Sequence, residues 1–455
     1  MGRGKKHKLS ESFVGGNVVN PRGSKNAKTQ EPAALQAADV YFEEGGLQRV
    51  HPYYHRFATH AKGRWVGRTI FDVFTQEFRD RPKEYYAKSI EKGVIEINNQ
   101  TVAKDTVVRN GDLVTHFIHR HEPPITTEDI GIVRETEDGL LAINKPGSIP
   151  VHPTGRYNYN TVTKLLEVKH GYRALFPINR LDRLTSGLML VGLNPTVARR
   201  LERELIEHRI QKEYVCKVQG EFPAGKVVCN QPIRVVAHKL ALNCVDFSEG
   251  KPSLTEFERL YSEDGFSIVY CRPKTGRTHQ IRVHLQFLGF PIANDPLYNN
   301  VEVWGDAKGK AGALPQALAE PAEPAELVEP AELVEPAEPA DGGEPIVRPA
   351  KMVGACDGDR KNDSWKTLIR RMEDWKDRQD AIEHVNACVG DSGPGVCEKC
   401  SNPVLPDPLP HELCIWLHAW RYSGPDWSFE TELPEWARKA AGLIDRVKYN
   451  PEPAV

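Results

Sequence analysis

No apolar run in the 455-residue chain approaches the roughly 20 residues that a membrane-spanning helix needs, so a membrane protein of that kind is not expected. Nine cysteines are scattered over a large chain, which fits reduced thiols in an intracellular protein better than a disulfide framework. Met1 to Ser10 is basic but has no apolar stretch, so it does not resemble a secretory signal; Lys6 stands where a myristoylation site has Ser or Thr. Dinucleotide and phosphate-cradling glycine loops are missing, which is consistent with a reaction that needs no cofactor. The chain also lacks a strong charge of one sign: its formal net charge is −2 and its pI about 6.8. That balance conceals an asymmetry, because Ala313 to Val347 carries repeated Glu and no Lys or Arg, while the preceding region is rich in both.

Residues 1–40 are basic and without periodicity, and read as a disordered tail. Gly63 to Phe117 forms a compact unit by pattern. Ile70, Val73, Phe74 and Phe78 recur at helical spacing behind a capping Thr69. A second helix runs from Pro82 through Ile90 to a stop at Gly93, and Val94 to Ile97 alternates as a strand. Arg64, Arg68, Arg79 and Arg81 would give this unit an exposed basic face, with RNA as the partner such a face suits. From Val133 to Val303 strands and helices alternate. Strands are expected at 140–144, 188–191, 214–218 and 267–271, and helices at 196–205 and 278–288. Ala319 to Ala340 repeats Glu-Pro-Ala, which prevents a packed core and reads as a spacer. Strand patterns return at 415–420 and 427–430.

Three polar clusters adjoin these apolar strands. Asn179 to Gly187 carries Asp182 in a turn-forming loop between Arg180 and Arg183; by itself such an Asp is an Asx-turn former. Lys212-Glu213-Tyr214 opens a strand, where an isolated Tyr is an ordinary cross-strand packing residue. Lys274 to Arg282 ends a strand at Gly276 and starts a helix that Thr275 or Thr278 could cap. Arg277 and Arg282 stand at its beginning, suited to phosphate or a carboxylate.

Taken together, the clusters resemble the motifs of the RluA-type pseudouridine synthases. Arg180-Leu181-Asp182 with Thr185-Ser186-Gly187 is one. Lys212-x-Tyr214 with Val218 and Gly220 is another. The third is Thr275 to His284 with Pro291, Asp295 and Tyr298 after it, and Asn144-Lys145-Pro146 with His152-Pro153 is similar to the family's opening motif. The layout is similar to the eukaryotic RNA pseudouridylate synthase domain-containing subgroup. The resemblance implies an α+β pseudouridine synthase fold with a mixed, largely antiparallel central sheet flanked by helices, preceded by a small αL (ribosomal-protein-like) RNA-binding module at about 63–117 within 41–122. It further implies a catalytic domain at 123–303 and a largely disordered acidic insertion at 304–410. The domain's final strands would lie at 411–440, with a tail at 441–455. Asp182, Tyr214 and Arg282 would be catalytic, Arg282 pairing with Asp182. Arg180 would fill the stack vacated by a flipped base, and Arg183, Lys274, Arg277, Arg64 and Arg68 would contact RNA. The family usually has His where this chain has Asn179, which bears on local RNA contacts more than on the chemistry.

The expected reaction is isomerisation of uridine to pseudouridine in transfer or messenger RNA rather than ribosomal RNA. It would need a flipped base and an aspartate acting as nucleophile or base. A monomer in the nucleus or cytoplasm is expected, with the mitochondrion open. The rival reading is a catalytically inert RNA-binding protein that keeps the fold. A zinc-dependent base deaminase is dismissed, because Cys397-Glu398-Lys399-Cys400 lacks the preceding Pro and no His-x-Glu occurs. Cys397 and Cys400 with Cys388, His384 or Cys414 could hold a structural zinc, but a lone Cys-x-x-Cys favours free thiols, and no metal is assigned.

Overall fold

A computed structural model of the chain describes residues 36–78, 83–237, 240–314, 364–376, 407–409 and 412–448. The basic tail before residue 36, Arg79, Arg81, most of the acidic repeat and the residues His384, Cys388, Cys397 and Cys400 lie outside them.

A ten-stranded sheet forms the centre of the molecule. Its strands run in the order Lys226–Cys229, Thr255–Glu263, Phe266–Pro273, Gln211–Gln219, Leu417–Ser423, Ser186–Gly192, Leu140–Lys145 and Gly131–Glu135, with Phe176–Pro177 and Ser428–Glu430 as side pairings. Among the described residues, only the pairing of Ser186–Gly192 with Leu417–Ser423 in this sheet is parallel; the others are antiparallel. Leu140–Lys145 and Ser186–Gly192 are buried almost throughout, which is why both read as continuous apolar runs rather than alternating ones. Gly187 allows the parallel contact. A Cβ there would lie 2.2 Å from the carbonyl oxygen of Ala419, and its φ of +111° suits only glycine. The strand Leu417–Ser423 thus sits in the middle of the sheet although more than a hundred residues separate it from the helix before the acidic repeat.

The helix Pro195–Ile206 starts where Asn194 accepts from the backbone N–H groups of Thr196 and Val197, with Pro195 in its first turn. The helix expected at 278–288 begins later, at Gln280. His279 precedes it in the left-handed region, and neither Thr275 nor Thr278 caps it. Instead the side-chain oxygen of Gln280 accepts from the Arg277 N–H and the Thr275 hydroxyl.

The N-terminal unit is larger than its helical pattern implied. Helices Ile70–Glu77 and Lys83–Glu91 pack on a four-stranded sheet whose outermost strand, Tyr53–His60, precedes the expected start at Gly63. Thr69 accepts from Asp72 N as expected. Two further segments are helical. Residues 364–376 form a helix inside the segment expected to be largely disordered. Its Leu368 and Met372 are buried against Trp304, Val303 and the hairpin of Ile233–Ala237 with Leu242–Val245. Apolar spacing along this helix buries one face, as it would anywhere else in the chain. The expected C-terminal tail is also helical at Ala441–Lys448, with Ile444 buried beside Trp420 and Tyr270.

Candidate active site

A cleft of about 630 Å³ opens where the sheet meets the Asn179–Thr185 loop and the start of the Gln280–Leu288 helix. Asp182, Tyr214 and Arg282 all line it, drawn together from positions up to a hundred residues apart.

Asp182 sits in a turn closed by the Thr185 N–H donating to its carbonyl, with Leu181 buried as an anchor. Beneath the loop lies Lys145, fully buried, its ammonium donating to the carbonyls of Pro146, Ile149 and Arg183. Burial pulls the Lys145 ammonium down to about 7, against the opposing influence of Asp182.

The Asp182 side chain is 29% exposed toward the cleft, and its Oδ2 lies 3.1 Å from Arg282 Nη1. Arg282 is held from behind by Asp295, whose carboxylate takes a forked pair of hydrogen bonds at 2.6 and 2.9 Å. Asp295 in turn accepts from the backbone N–H groups of Leu297 and Tyr298. The guanidinium also lies over the Tyr298 ring, 4.9 Å from its centroid. One cation therefore serves two carboxylates, with the second fixing its orientation.

Burial by itself would raise the Asp182 carboxyl, but His279 and Arg282 outweigh it, and the net shift is downward. Burial also pushes His279 down to about 4, so the imidazole is neutral near pH 7 and the charge that keeps Asp182 ionised there is that of Arg282. His279 Nδ1 lies 2.9 Å from the Tyr298 hydroxyl, whose oxygen accepts from the Asn243 N–H, while Nε2 faces Asp182 at 3.6 Å. Sequence reasoning gave no role to His279, Asp295 or Tyr298. They were noted there as parts of a motif, and the folded geometry shows what each of them touches.

Tyr214 also lines the cleft, buried but for 9% of its surface. Its hydroxyl is 2.7 Å from that of Tyr422, and Asn179 Nδ2 donates to Tyr422 at 3.3 Å. Burial lifts the Tyr214 phenol to about 12, with Tyr422 pulling the other way. Lys212 lies on the same face of its strand and lines the cleft, its ammonium 5.9 Å from the Tyr422 ring.

The candidate RNA-contacting cations divide. Arg180, Arg183 and Arg277 are exposed and line the cleft, Arg183 resting over Tyr157. Lys274 is turned to Glu256 at 3.3 Å and is not part of the lining. Arg64 and Arg68 converge on Glu77, Arg64 at 2.7 Å and Arg68 at 3.0 Å, and hold its carboxyl down to about 2. The basic face expected of the N-terminal unit is thus partly neutralised from within. Among the described residues no cluster of His, Cys, Asp and Glu could hold a metal ion.

A family model described as RNA pseudouridylate synthase matches residues 139–287. Over 425 residues the chain is 38% identical to a Mus musculus protein named Pseudouridylate synthase RPUSD2, covering 88% of this chain and 73% of that one. It is 38% identical over 409 residues to the Saccharomyces cerevisiae tRNA pseudouridine(32) synthase, mitochondrial, covering 87% and 78%. It is 36% identical to RNA pseudouridine synthase 7 of Oryza sativa, covering 90% and 94%.

Proposed function

Because the chain belongs to the RNA pseudouridylate synthase family and is an isomerase acting on RNA, we propose that Asp182 starts the reaction, with Arg282 keeping it ionised and Tyr214 serving the last proton transfer. The observation that carries this reading is a carboxylate exposed to a cleft and paired with a guanidinium that a second, buried carboxylate already holds in place.

The reaction breaks the bond between uracil N1 and the anomeric carbon, turns the base, and joins ring carbon 5 to the sugar. Asp182 can attack the anomeric carbon, or it can take the neighbouring sugar proton. Both routes require an anion at neutral pH. After the new carbon–carbon bond forms, the C5–H bond breaks and its electrons restore the ring double bond. Its proton passes to the Tyr214 oxygen as that hydroxyl releases its own hydrogen to cleft water. A base inside a stem cannot reach this cleft, so the nucleotide is flipped out, and Arg180 on the cleft rim is suited to the vacated stack. Arg183 and Arg277 are suited to phosphates around the flipped nucleotide. Lys274, Arg64 and Arg68 have carboxylate partners and would contact RNA only by sharing them. The N-terminal unit is assigned as a second RNA-binding surface.

The yeast relative is named for transfer RNA, and we assign the same class of RNA to this chain, with messenger RNA as the alternative. We assign action as a monomer in an intracellular compartment; the yeast relative is named as mitochondrial. Asp182→Asn, expressed in cells lacking the protein, is expected to remove its pseudouridines while RNA binding persists. The loss in rate should be at least about 10²–10⁴-fold. Unchanged pseudouridine with Asp182→Asn excludes this mechanism. Unchanged pseudouridine on removing the whole protein favours an inert RNA-binding protein.

A further inference from the structure

We propose that Tyr422 is a positioning residue that sets which way the Tyr214 hydroxyl points, and that Asn179 sets the direction of the chain joining them. The inference rests on the assignment of Tyr214 to the last proton transfer.

Counting hydrogens gives the direction. The two ends of the Asn179 amide are distinguishable, because the backbone N–H of Leu190 donates to its Oδ1 at 3.2 Å. The other end, Nδ2, has only hydrogens to offer, and it lies 3.3 Å from the Tyr422 oxygen. Tyr422 therefore accepts from Asn179. Its single hydrogen is left for Tyr214, whose oxygen lies 2.7 Å away. Tyr422 is fully buried, so water offers no competing partner. Tyr214 must then accept along this line, and its own hydrogen is directed elsewhere, into the cleft it lines.

The result is a polarised relay, Asn179 to Tyr422 to Tyr214, in which each donor strengthens the next. A phenol that already accepts a hydrogen bond releases its own proton more readily. Tyr422 thus opposes the rise that burial imposes on Tyr214. The rings alone would not require this arrangement: they meet at 56° with centroids 6.0 Å apart, an ordinary packing geometry. The relay also gives Asn179 a task inside the protein, in place of the RNA contact in question from sequence.

The test uses full-length protein and RNA from cells lacking it, grown with uridine or 5-deuteriouridine, so that no particular target need be assumed. Tyr422→Phe is expected to lower kcat roughly tenfold, the effect of losing one neutral hydrogen bond, with KM unchanged. A larger deuterium isotope effect than in wild type should accompany it, because C5–H cleavage becomes slower. Asn179→Asp keeps size and the Leu190 contact but offers only acceptors when ionised, which reverses the relay. Its activity should fall at alkaline pH and recover as the introduced carboxyl is protonated and again donates to Tyr422. An isotope effect equal to wild type in Tyr422→Phe, or an Asn179→Asp variant that is folded and either fully active or inactive across the whole pH range, overturns the relay alone. Wild-type protein that forms no pseudouridine in this RNA overturns the isomerase reading and the relay with it.

Discussion

Replacing Arg282 with Met should open a stability deficit relative to the wild type, and the size of that deficit should depend on pH. Arg282 is the cation shared by Asp182 and Asp295, and the side chain of Asp295 has no exposed surface. Methionine keeps the volume and removes the charge, leaving a buried carboxylate without its partner, which costs about 3–5 kcal/mol. Most of this belongs to Asp295, since Asp182 is partly exposed and better solvated. The sign follows from the directions in which the groups are displaced. In the wild type both carboxyls are held below their ordinary value, so the stability they contribute is fully present above the unfolded-state value of about 4 and is lost only as pH falls below it. Without Arg282 the opposing influence of burial, the largest on each group, is no longer offset, and at least one carboxyl moves above its unfolded value. The folded variant then prefers the protonated form, so its deficit is greatest at neutral pH and shrinks in acid, by up to about 1.4 kcal/mol per pH unit between the raised folded value and the unfolded one. Urea unfolding of both proteins at about pH 7.5 and about pH 5 measures the difference directly. A deficit under about 1 kcal/mol, or one of equal size at both pH values, would refute the shared-cation account.

Three other outcomes are expected. Lys145 is held near 7 in the folded protein, well below its unfolded value. The folded form therefore gains stability relative to the unfolded chain as pH rises above 7, toward about 10, and Lys145→Met should abolish up to about 1.4 kcal/mol per pH unit of that slope in unfolding titrations. Gly187→Ala brings a methyl group onto the Ala419 backbone at a positive φ, and should cost about 2–4 kcal/mol, read as a lower urea midpoint; a change under about 0.5 kcal/mol contradicts the close approach. Leu368→Ala should loosen the 364–376 helix by about 2–5 kcal/mol, seen as faster amide exchange there and in the hairpin it covers; exchange unchanged in both means the helix is not held by this contact.

Local chemistry was readable wherever it was local in the chain. The strands at 140–145 and 186–192 are apolar because both faces are covered, and the capped helix at 70–77 announces itself through Thr69. Asp182, Tyr214 and Arg282 stood out through their motifs, and the cleft does bring them together. The helix at 364–376 was missed for a different reason. It follows a long acidic repeat whose composition dominates any window, yet its own pattern of Trp365, Leu368, Met372 and Trp375 is that of a helix with one buried face.

What the chain could not reveal is pairing at long range. Tyr422 lies 208 residues beyond Tyr214, on a strand whose sequence gives no hint of its neighbours. Its position depends on three non-local facts: that Leu417–Ser423 enters the centre of the sheet, that it pairs in parallel with Ser186–Gly192 over the glycine at 187, and that the ladder shifts register between Glu213 and Tyr214. The extra residue lies on the Leu417–Ser423 strand, where Trp420 falls between Arg421, opposite Glu213, and Ala419, opposite Tyr214. Lys212 and Tyr214, two residues apart on a regular strand, share one face, and Tyr422, directly opposite Lys212, joins them from the far end of the chain. The proposed catalytic carboxylate needs only its loop and its cation, both carried by motifs. The group proposed to handle the last proton needs an oriented donor behind it, and the donor proposed here comes from a strand whose place only the folded sheet defines.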